Sequence, residues 1–326
     1  MAADQAPAVV QPAAAGISAH ARARTHRVTV IFAFLSIYLI WGSTYLAIRY
    51  AVATIPPLYT AGIRHLTAGL ILLAWCAWKR LRPTPAQWRA SVVIGALFFL
   101  IGHGTVHWAE QIVPSGLAAL LVAVEPIFVL ALSEAADRRW RMNATLFAGV
   151  VLDLAGVALL FGKGILMSAP GMATGAIAIL VGAVSWAGGI VYSRRSKLSG
   201  QPLLLSALSL LSGSIMLLIA GTIAGEWRRF SPRTVSNLSW VALAYLILFG
   251  SVVAFTAYNW LLEHYSPTLV ATHTDVNPIV AVLLGWIFAG EALTLNVVLG
   301  AAMVVAAVML VDRGMARLHL PLEIRR

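Results

Sequence analysis

Long apolar runs of about 20 residues dominate the chain, and short polar or proline-containing segments separate them. The runs are continuous and lack the alternation of apolar and polar residues that is typical of barrel strands. In lipid such a run adopts a helix, because a helix satisfies its own backbone hydrogen bonds. The pattern therefore predicts an all-α integral membrane protein with ten transmembrane helices, at residues 28–49, 58–78, 90–109, 114–134, 143–162, 173–193, 203–225, 237–262, 266–288 and 294–312.

One motif occurs twice in these runs. Trp108 and Trp260 are each followed by seventeen residues and then by a proline, Pro126 and Pro278. The offset between the copies is 152 residues at both positions, and the residues beside the two prolines also align without a gap. The chain is therefore expected to be an internal duplication.

The duplication divides the chain into two halves of five helices each, residues 28–163 and 164–312. A tail of residues 1–27, rich in alanine, proline and arginine and predicted to be disordered, precedes them, and a tail of residues 313–326 follows. Because five is an odd number, the second half must enter the membrane from the opposite face. The sequence thus predicts two inverted repeats, with the working site where the halves meet.

Composition agrees with a membrane protein. Hydrophobic residues make up 60% of the chain and charged residues only 11%, with a mean hydropathy of +0.86, whereas soluble domains carry about 25% charged residues. The net charge of +11 suggests a nucleic-acid partner, but 17 of the 23 lysines and arginines fall on one side of the predicted helices. This bias predicts that both termini are cytoplasmic and argues against nucleic-acid binding.

Several short motifs resemble the EamA family of the drug/metabolite transporter superfamily, and most closely its YedA-type subgroup. Each motif is loose by itself, but their order and spacing are specific, and the resemblance covers nearly all of residues 28–312. The motifs are Ile40-Trp41-Gly42-Ser43-Thr44-Tyr45, Pro57-Leu58 followed by Arg64, Pro114-Ser115-Gly116 through Glu125-Pro126, Ser185-Trp186, Asp275-Val276-Asn277-Pro278 and Gly290-Glu291.

The resemblance implies a ten-helix carrier in the bacterial inner membrane, multi-pass, for small metabolites that are often amino acids or related compounds. Many members of the family are exporters. This sequence departs from the family in one respect: Asn277 stands before the second proline, where many relatives have an acid in both copies. A mechanism that needs two matching acids is therefore not expected here.

Two prolines and two acids fall within the predicted helices. Pro126 and Pro278 are expected to kink spans four and nine and to free backbone carbonyls that must face protein or a water-lined cavity; helix packing alone is the alternative role. Glu125 and Asp275 are candidates for proton coupling, because an acid at bilayer depth normally faces the protein interior. Glu125 could also bind the cationic part of a substrate or be a neutral or hydrogen-bonded structural acid, and Asp275 could pair with a polar group of another helix.

His103, His107 and Glu110 share one stripe of span three. Two imidazoles and a carboxylate could ligate a divalent metal, the one feature that favours a membrane-embedded metal-dependent enzyme. No His-Glu-x-x-His or Gly-x-Ser-x-Gly motif occurs in the sequence, and we expect neither a metal nor a cofactor. Imidazoles beside Trp108 more commonly hydrogen-bond, titrate or stack on a substrate, and with Glu125 they form a candidate proton path.

The other candidates for substrate binding are aromatic and small polar side chains. Such rings line cavities for cationic or aromatic solutes, with core packing and interfacial anchoring as alternatives. Arg64 of span two is expected to pair with carbonyls or an acid, or to extend outward. Together with His103 and His107, the substrate-binding candidates are Trp41, Ser43, Tyr45, Trp108, Trp186, Trp260, His273 and Asn277.

These features favour a secondary transporter that moves a small metabolite, an amino acid or a related zwitterionic or cationic solute, by alternating access. The acids and histidines favour a proton-coupled exporter. No Walker-type phosphate loop occurs in the sequence, so ATP hydrolysis by this chain is not expected. A passive channel and, less favoured, the metal-dependent enzyme are the alternatives. The expected partners are the solute, protons and the lipid bilayer, with the chain as a monomer or weak dimer.

Overall fold

A computed structural model of the chain describes residues 28–137, 143–160, 169–196, 201–265, 269–270 and 272–317. These residues are predominantly helical and include no β-strand. The predicted tail 1–27, most of the predicted tail 313–326 and the predicted boundary near residue 163 lie outside the described residues.

Eight of the described helices are long and apolar enough to cross a membrane, and two shorter helices, Ala144–Leu160 and His273–Ala289, are also apolar. The predicted all-α membrane fold is confirmed, whereas a crossing by each of the two shorter helices stays a prediction. The segment at Asn237 remains helical to His264, and the last helix continues to Arg317. In chain order the helices are α1 (Val28–Val52), α2 (Pro57–Trp78), α3 (Pro85–Ala109), α4 (Ser115–Asp137), α5 (Ala144–Leu160), α6 (Met172–Arg195), α7 (Leu203–Ile223), α8 (Asn237–Tyr258), α9 (His273–Ala289) and α10 (Leu295–Met315).

Prolines, a capping box and a glycine fix several helix ends. Pro57 stands in the first turn of α2, where its missing N–H is not needed. α3 begins with a capping box in which Thr84 and Gln87 satisfy each other's backbone amides. Gly290, with a φ of 63°, ends α9 in the left-handed conformation that glycine adopts without strain. These local signals position the loops independently of the rest of the bundle.

α4 is interrupted at the first proline of the repeat. Its first part ends at Val122 and its second part begins at Glu125, and the two residues between them form a turn. Pro126 cannot donate a backbone hydrogen bond to the preceding turn, which explains the break. By contrast, α9 is continuous through Pro278. Among the described residues, the helix is thus interrupted at the first of the two prolines and continuous through the second, and a kink at Pro278 stays a prediction.

The packing of the helices follows the repeat. α2 packs along α7, and α5 packs along α10. α1 contacts α8 and α9, while α6 makes the corresponding contacts with α3 and α4. Likewise α2 contacts α8, and α7 contacts α3. Exchanging the halves leaves the α2–α7 and α5–α10 contacts as they are and interchanges the others in pairs, so helices from both halves surround the interior of the bundle.

Each end of the helix bundle is named after a residue that lies there. The Arg49 end contains the last turns of α1, α3 and α9 and the first turns of α2, α4 and α10. The Asp137 end contains the last turns of α4 and α6. The distribution of lysine and arginine predicts that the Arg49 end faces the outside of the cell.

Gly42 sets the distance between α1 and α9. A Cβ added there would lie 2.6 Å from the Cβ of Val280. We therefore expect Gly42→Ala to force the helices apart and to lower the thermal unfolding midpoint of the detergent-purified protein by a few degrees, since overpacking costs about 1–3 kcal/mol. Gly188→Ala in α6 is the control, because a Cβ there meets nothing within 4 Å. Equal midpoints for the two variants would contradict this account of the α1–α9 contact.

Candidate functional site

Arg64 of α2 is buried, with only 4% of the residue exposed, and its Nε donates a hydrogen bond to the Ser251 Oγ of α8 at 3.0 Å. Its Nη1 has no hydrogen-bond partner among the described residues. The guanidinium fits because residue 250 is a glycine, where an added Cβ would lie 3.2 Å from Nη2. The Gly250 carbonyl also accepts a hydrogen bond from the Trp41 indole at 3.0 Å. Arg64 and Trp41 therefore meet at one π-helical segment of α8, Leu246–Val253.

Three histidines form a chain beside Arg64. Nε2 of His65 and Nδ1 of His103 are 2.8 Å apart, and Nδ1 of His107 lies 2.7 Å from the carbonyl oxygen of His103. A carbonyl can only accept, so Nδ1 of His107 carries the hydrogen and Nε2 of the neutral ring is an acceptor. That Nε2 is buried and has no partner within the described part of the chain. The His103 ring stacks on Trp186 of α6, with centroids 4.9 Å apart.

Glu110 lies just beyond the end of α3 and is only 2% exposed. Neither of its carboxylate oxygens makes a hydrogen bond of full geometry within the described residues, although the backbone amide of Arg49 is near enough to favour the ionised carboxylate. Burial, reinforced by the neighbouring Glu291, raises the pKa of Glu110 well above its ordinary value, while Arg49 and Arg64 oppose this effect. We call Arg64, His107 and Glu110 the central polar cluster. Its members share unused hydrogen-bonding atoms in a buried setting.

A second group of rings joins α1, α8 and α9. Trp41 lies 5.2 Å from Tyr258 and 4.9 Å from His273 between ring centroids. On the same helix as Trp41, the hydroxyl of Ser43 is 2.6 Å from the hydroxyl of Tyr245. The structure thus brings together the predicted residues Trp41 and His273, and it ties Ser43 to α8.

Asn277 joins α9 to α1. Its amide faces three carbonyl oxygens, of Ile37, Tyr38 and His273, at 3.0 to 3.2 Å, so the nitrogen must lie on that side and donate. With two N–H groups it can bond two of these carbonyls at a time. This contact supports a role for Asn277 in joining helices, next to its predicted role in substrate binding.

Glu125 begins the second part of α4 and is partly buried. It interacts electrostatically with Arg194 of α6 and with Tyr258 of α8. Tyr45 of α1 interacts with Glu125 and also with Arg64 and Glu110 of the central polar cluster. Tyr45 is therefore within electrostatic range of both the cluster and the acid that the sequence singled out.

Three other predicted residues lie in different surroundings. Trp108 is 37% exposed, although its neighbour His107 is fully buried. Trp260 stacks on His264 with centroids 4.3 Å apart and packs with the core between α1 and the end of the α8 helix. Asp275 lies in the first turn of α9 and is partly buried.

At the Arg49 end, one carboxylate holds several helices together. Glu291, directly after α9, accepts hydrogen bonds from the Ser115 amide and hydroxyl, both at 2.7 Å, and from the Gly116 amide at 2.9 Å. Its Oε1 also lies 3.1 Å from Nη1 of Arg49. Gly285 leaves room for this carboxylate, since an added Cβ would collide with Oε2. We call Glu291, Arg49, Ser115 and Gly116 the Glu291 clasp, and it lies beside Glu110.

A second ion pair, which is exposed to solvent, lies at the Asp137 end. Arg195 of α6 pairs with Asp137 of α4, and their side chains are 47% and 62% exposed. α6 and α4 correspond to α1 and α9 in the repeat. The two ion pairs thus join corresponding pairs of helices, but only the Glu291 carboxylate is buried, at 8% exposure.

Sequence reasoning missed part of this site. It did not single out His65, it assigned Arg64 a structural role, and it mentioned Glu291 only as part of a motif. A signal was present for all three, because each is an ionisable residue within or beside an apolar run. Their partners come from distant helices, which local patterns do not reveal.

Comparison with known proteins identifies the family. The model of the EamA-like transporter family matches residues 28–162 and again residues 173–312. The chain belongs to the EamA-like transporter family. This confirms the resemblance that the motifs indicated, and the EamA-like protein is therefore a membrane transporter.

Relatives of this EamA-like transporter span nearly its whole length. YedA of Escherichia coli K12, an uncharacterized inner membrane transporter, is 40% identical over 285 residues, which cover 86% of this chain and 90% of YedA. YoaV of Bacillus subtilis 168, an uncharacterized transporter, is 27% identical over 284 residues, covering 85% of this chain and 94% of YoaV. A known crystal structure shares the fold, with a TM-score of 0.61 at 19% identity, over 90% of this chain and 99% of that one.

Proposed function

We propose that this EamA-like transporter is a secondary carrier for small zwitterionic or cationic solutes of the amino-acid type, and that it works by alternating access as a proton-coupled exporter. One observation carries the proposal. In the central polar cluster, a donor of the Arg64 cation and acceptors of Glu110 and His107 are buried without a full hydrogen bond in the described residues. The Glu291 clasp lies beside this cluster at the Arg49 end. A solute with polar groups of both kinds would satisfy them.

Alternating access is supported by the repeated packing of the two halves. The Glu291 clasp makes a buried, charge-assisted closure at the Arg49 end, whereas the related Arg195–Asp137 pair is exposed to solvent. Exposed ion pairs contribute little, about 0–1 kcal/mol. A carrier that opened alternately at the two ends would exchange which of the two related closures is tight.

Proton coupling is supported by Glu125. It lies at the break in α4 and interacts with Arg194, Tyr258 and Tyr45, which come from three other helices. Movement of any of these helices would change its electrostatic surroundings and thereby its affinity for a proton. The histidines His103 and His107 extend the polar path toward α2 and α6.

A counterflow assay tests the carrier. The purified protein is placed in proteoliposomes that are preloaded with one of the twenty L-amino acids or with a primary amine. These vesicles should take up the same labelled solute faster than vesicles that contain no internal solute. Uptake should saturate with concentration, since a carrier exchanges one bound solute for another. Uptake that neither saturates nor responds to preloading would favour the passive channel, and no uptake of any tested solute would overturn this solute class.

No specific observation favours the enzyme. In the described part of the chain, no three His, Cys, Asp or Glu side chains lie together as a metal ion would need. The histidines of α2 and α3 instead bond to one another and to a backbone carbonyl.

A further inference from the structure

We propose that Glu226 controls access to the transport path, because its carboxylate closes the Arg49 end by holding the start of α2 to the end of α7. This inference rests on the proposed alternating access and goes beyond it. It assigns a positioning role to a residue outside both the central polar cluster and the Glu291 clasp.

Glu226 lies in the loop that follows α7 and is only 2% exposed. Its Oε1 accepts a hydrogen bond from the backbone amide of Leu58 at 3.2 Å, and its Oε2 accepts one from the backbone amide of Tyr59 at 3.0 Å. Both amides belong to the first turn of α2, where a helix offers no carbonyl partner of its own. The carboxylate therefore caps α2 from another helix, and its negative charge is favoured at a helix N-terminus.

The chain after α7 directs this carboxylate at α2. Gly225 has a φ of 77°, which a glycine adopts without strain, and it turns the chain at the end of the helix. The backbone carbonyl of Glu226 accepts hydrogen bonds from the amides of Arg229 and Phe230, at 2.9 and 3.0 Å. The ring of Phe230 then meets the ring of Tyr59 edge to face, with centroids 5.7 Å apart. The loop is thus fixed over the first turn of α2.

The helices that Glu226 joins are in close contact at this end. A Cβ added at Gly221 of α7 would lie 2.8 Å from Cδ1 of Tyr59 and 3.2 Å from Oε2 of Glu226. A Cβ added at Gly62 of α2 would lie 2.7 Å from Cδ2 of Leu218. The end of α7 can therefore separate from the start of α2 only when the two hydrogen bonds of Glu226 break.

Glu226 and Glu291 are arranged in the same way. Glu226 follows α7 and caps α2, while Glu291 follows α9 and caps α4. Each of the two matches to the family model covers five helices, so α7 corresponds to α2 and α9 corresponds to α4. In both cases an acid of the second half holds the start of the corresponding helix of the first half. Two buried carboxylates thus close the Arg49 end.

The Asp137 end is built differently. Lys79 and Arg80, both exposed, come directly after α2, at the place that corresponds to the loop of Glu226. Their side chains have no acceptor for the amides that open a helix, so they cannot cap the start of α7. The acid that ends α4, Asp137, is exposed and pairs with Arg195. The structure is therefore the form that is held shut at the Arg49 end.

The test measures how readily the Arg49 end opens. Ala61→Cys places a thiol one turn beyond Leu58 in α2, where residue 61 is fully buried in one cluster with Leu217 of α7. Cys76→Ala removes the single native cysteine. A membrane-impermeant maleimide is added to right-side-out vesicles, which present the Arg49 end in the predicted orientation, and to inverted vesicles. With Glu226→Gln, the introduced thiol should react about 10-fold or more faster in right-side-out vesicles only, because two hydrogen bonds to a charged group are weakened or lost.

Tyr59→Phe is the matched control. It removes the hydrogen bond between the hydroxyls of Tyr59 and Thr222, which are 3.0 Å apart and also join α2 to α7, but at an exposed position. Arg229→Gln changes an exposed charge in the loop of Glu226 itself. Both variants should keep the labelling rate within about twofold of the unchanged rate, as is usual for surface substitutions.

Two further variants keep the proposal testable. Where Glu226→Gln does not fold, Glu226→Asp retains the charge but withdraws the carboxylate by one methylene, and it should raise the labelling rate by a smaller factor. Glu226→Gln combined with Glu291→Gln should label faster than either single variant, because both carboxylates close the same end. A carboxylate that only stabilised the fold would lower the thermal unfolding midpoint without making the labelling faster from one side.

The outcomes distinguish this closure from the transport proposal. If Glu226→Gln labels no faster than Tyr59→Phe, or labels faster from both sides alike, the role of Glu226 is overturned. Saturable counterflow by the unchanged protein would in that case leave the carrier standing. Faster labelling from the Arg49 side alone, together with uptake that does not saturate, would instead support the closure by Glu226 and remove the carrier.

Discussion

Glu291→Gln should lower the thermal unfolding midpoint of the purified protein markedly and reduce counterflow by about tenfold or more. The carboxylate accepts three hydrogen bonds from Ser115 and Gly116, and a bond to a charged group is worth about 1.5–3 kcal/mol. A glutamine keeps the size but would turn N–H groups toward the Gly116 or Ser115 donors. A loss of about 3 kcal/mol shifts the balance between two closures about 100-fold, so a carrier would rarely reach the state closed at this end.

Asp137→Asn is the matched control for Glu291→Gln. It removes the acid of the related ion pair at the other end, where both partners are exposed. Such a pair contributes at most about 1 kcal/mol, so this variant should unfold and exchange solute nearly as the unchanged protein does. If the two variants had equal midpoints and equal counterflow rates, the Glu291 clasp would have no special part in closing the Arg49 end.

Glu125→Gln should abolish the response of transport to a pH gradient while leaving solute exchange at equal pH. For one-for-one exchange with protons, a gradient of one pH unit supplies about 1.4 kcal/mol, enough for about tenfold accumulation. An exporter that exchanges protons for solute should therefore accumulate solute in vesicles that are more acidic inside. The variant should reach only the outside concentration, because glutamine cannot carry the proton.

Glu134→Gln is the control for this experiment. Glu134 is a buried acid on the same helix as Glu125, and its replacement should leave the pH response in place. If the Glu125→Gln protein still accumulates solute tenfold, Glu125 is not the coupling residue, and Asp275 or the histidines become the candidates. If solute accumulation by the unchanged protein does not respond to the pH gradient, the proposal of proton coupling is wrong.

Part of the structure is local and could be predicted. The helix starts at Pro57 and Thr84 and the end at Gly290 follow from single residues whose backbone chemistry admits few alternatives. The break in α4 also follows from Pro126. The continuous course of α9 through Pro278 does not, since a helix tolerates a proline where neighbouring groups satisfy the freed carbonyl, and that depends on packing.

The candidate site was only partly visible in the sequence. The stripe of His103, His107 and Glu110 could be predicted, because spacings of three and four residues share a helix face. The partners of this stripe could not be predicted. Arg64 reaches it from α2 and is held by Ser251, which is 187 positions further along the chain. Such a contact leaves no periodic trace in either segment.

The sequence by itself determined the class of the protein, its helical membrane fold and its family. Each of these depends on hydrophobicity, on local backbone preference or on motifs that are contiguous in the chain. Only the tertiary structure decided that Arg64, His107 and Glu110 keep unused polar atoms in the interior and that Glu291 holds the end of α9 to α1 and α4. The physical reason is that a polar atom's state depends on which distant groups surround it, and the helix packing sets those surroundings.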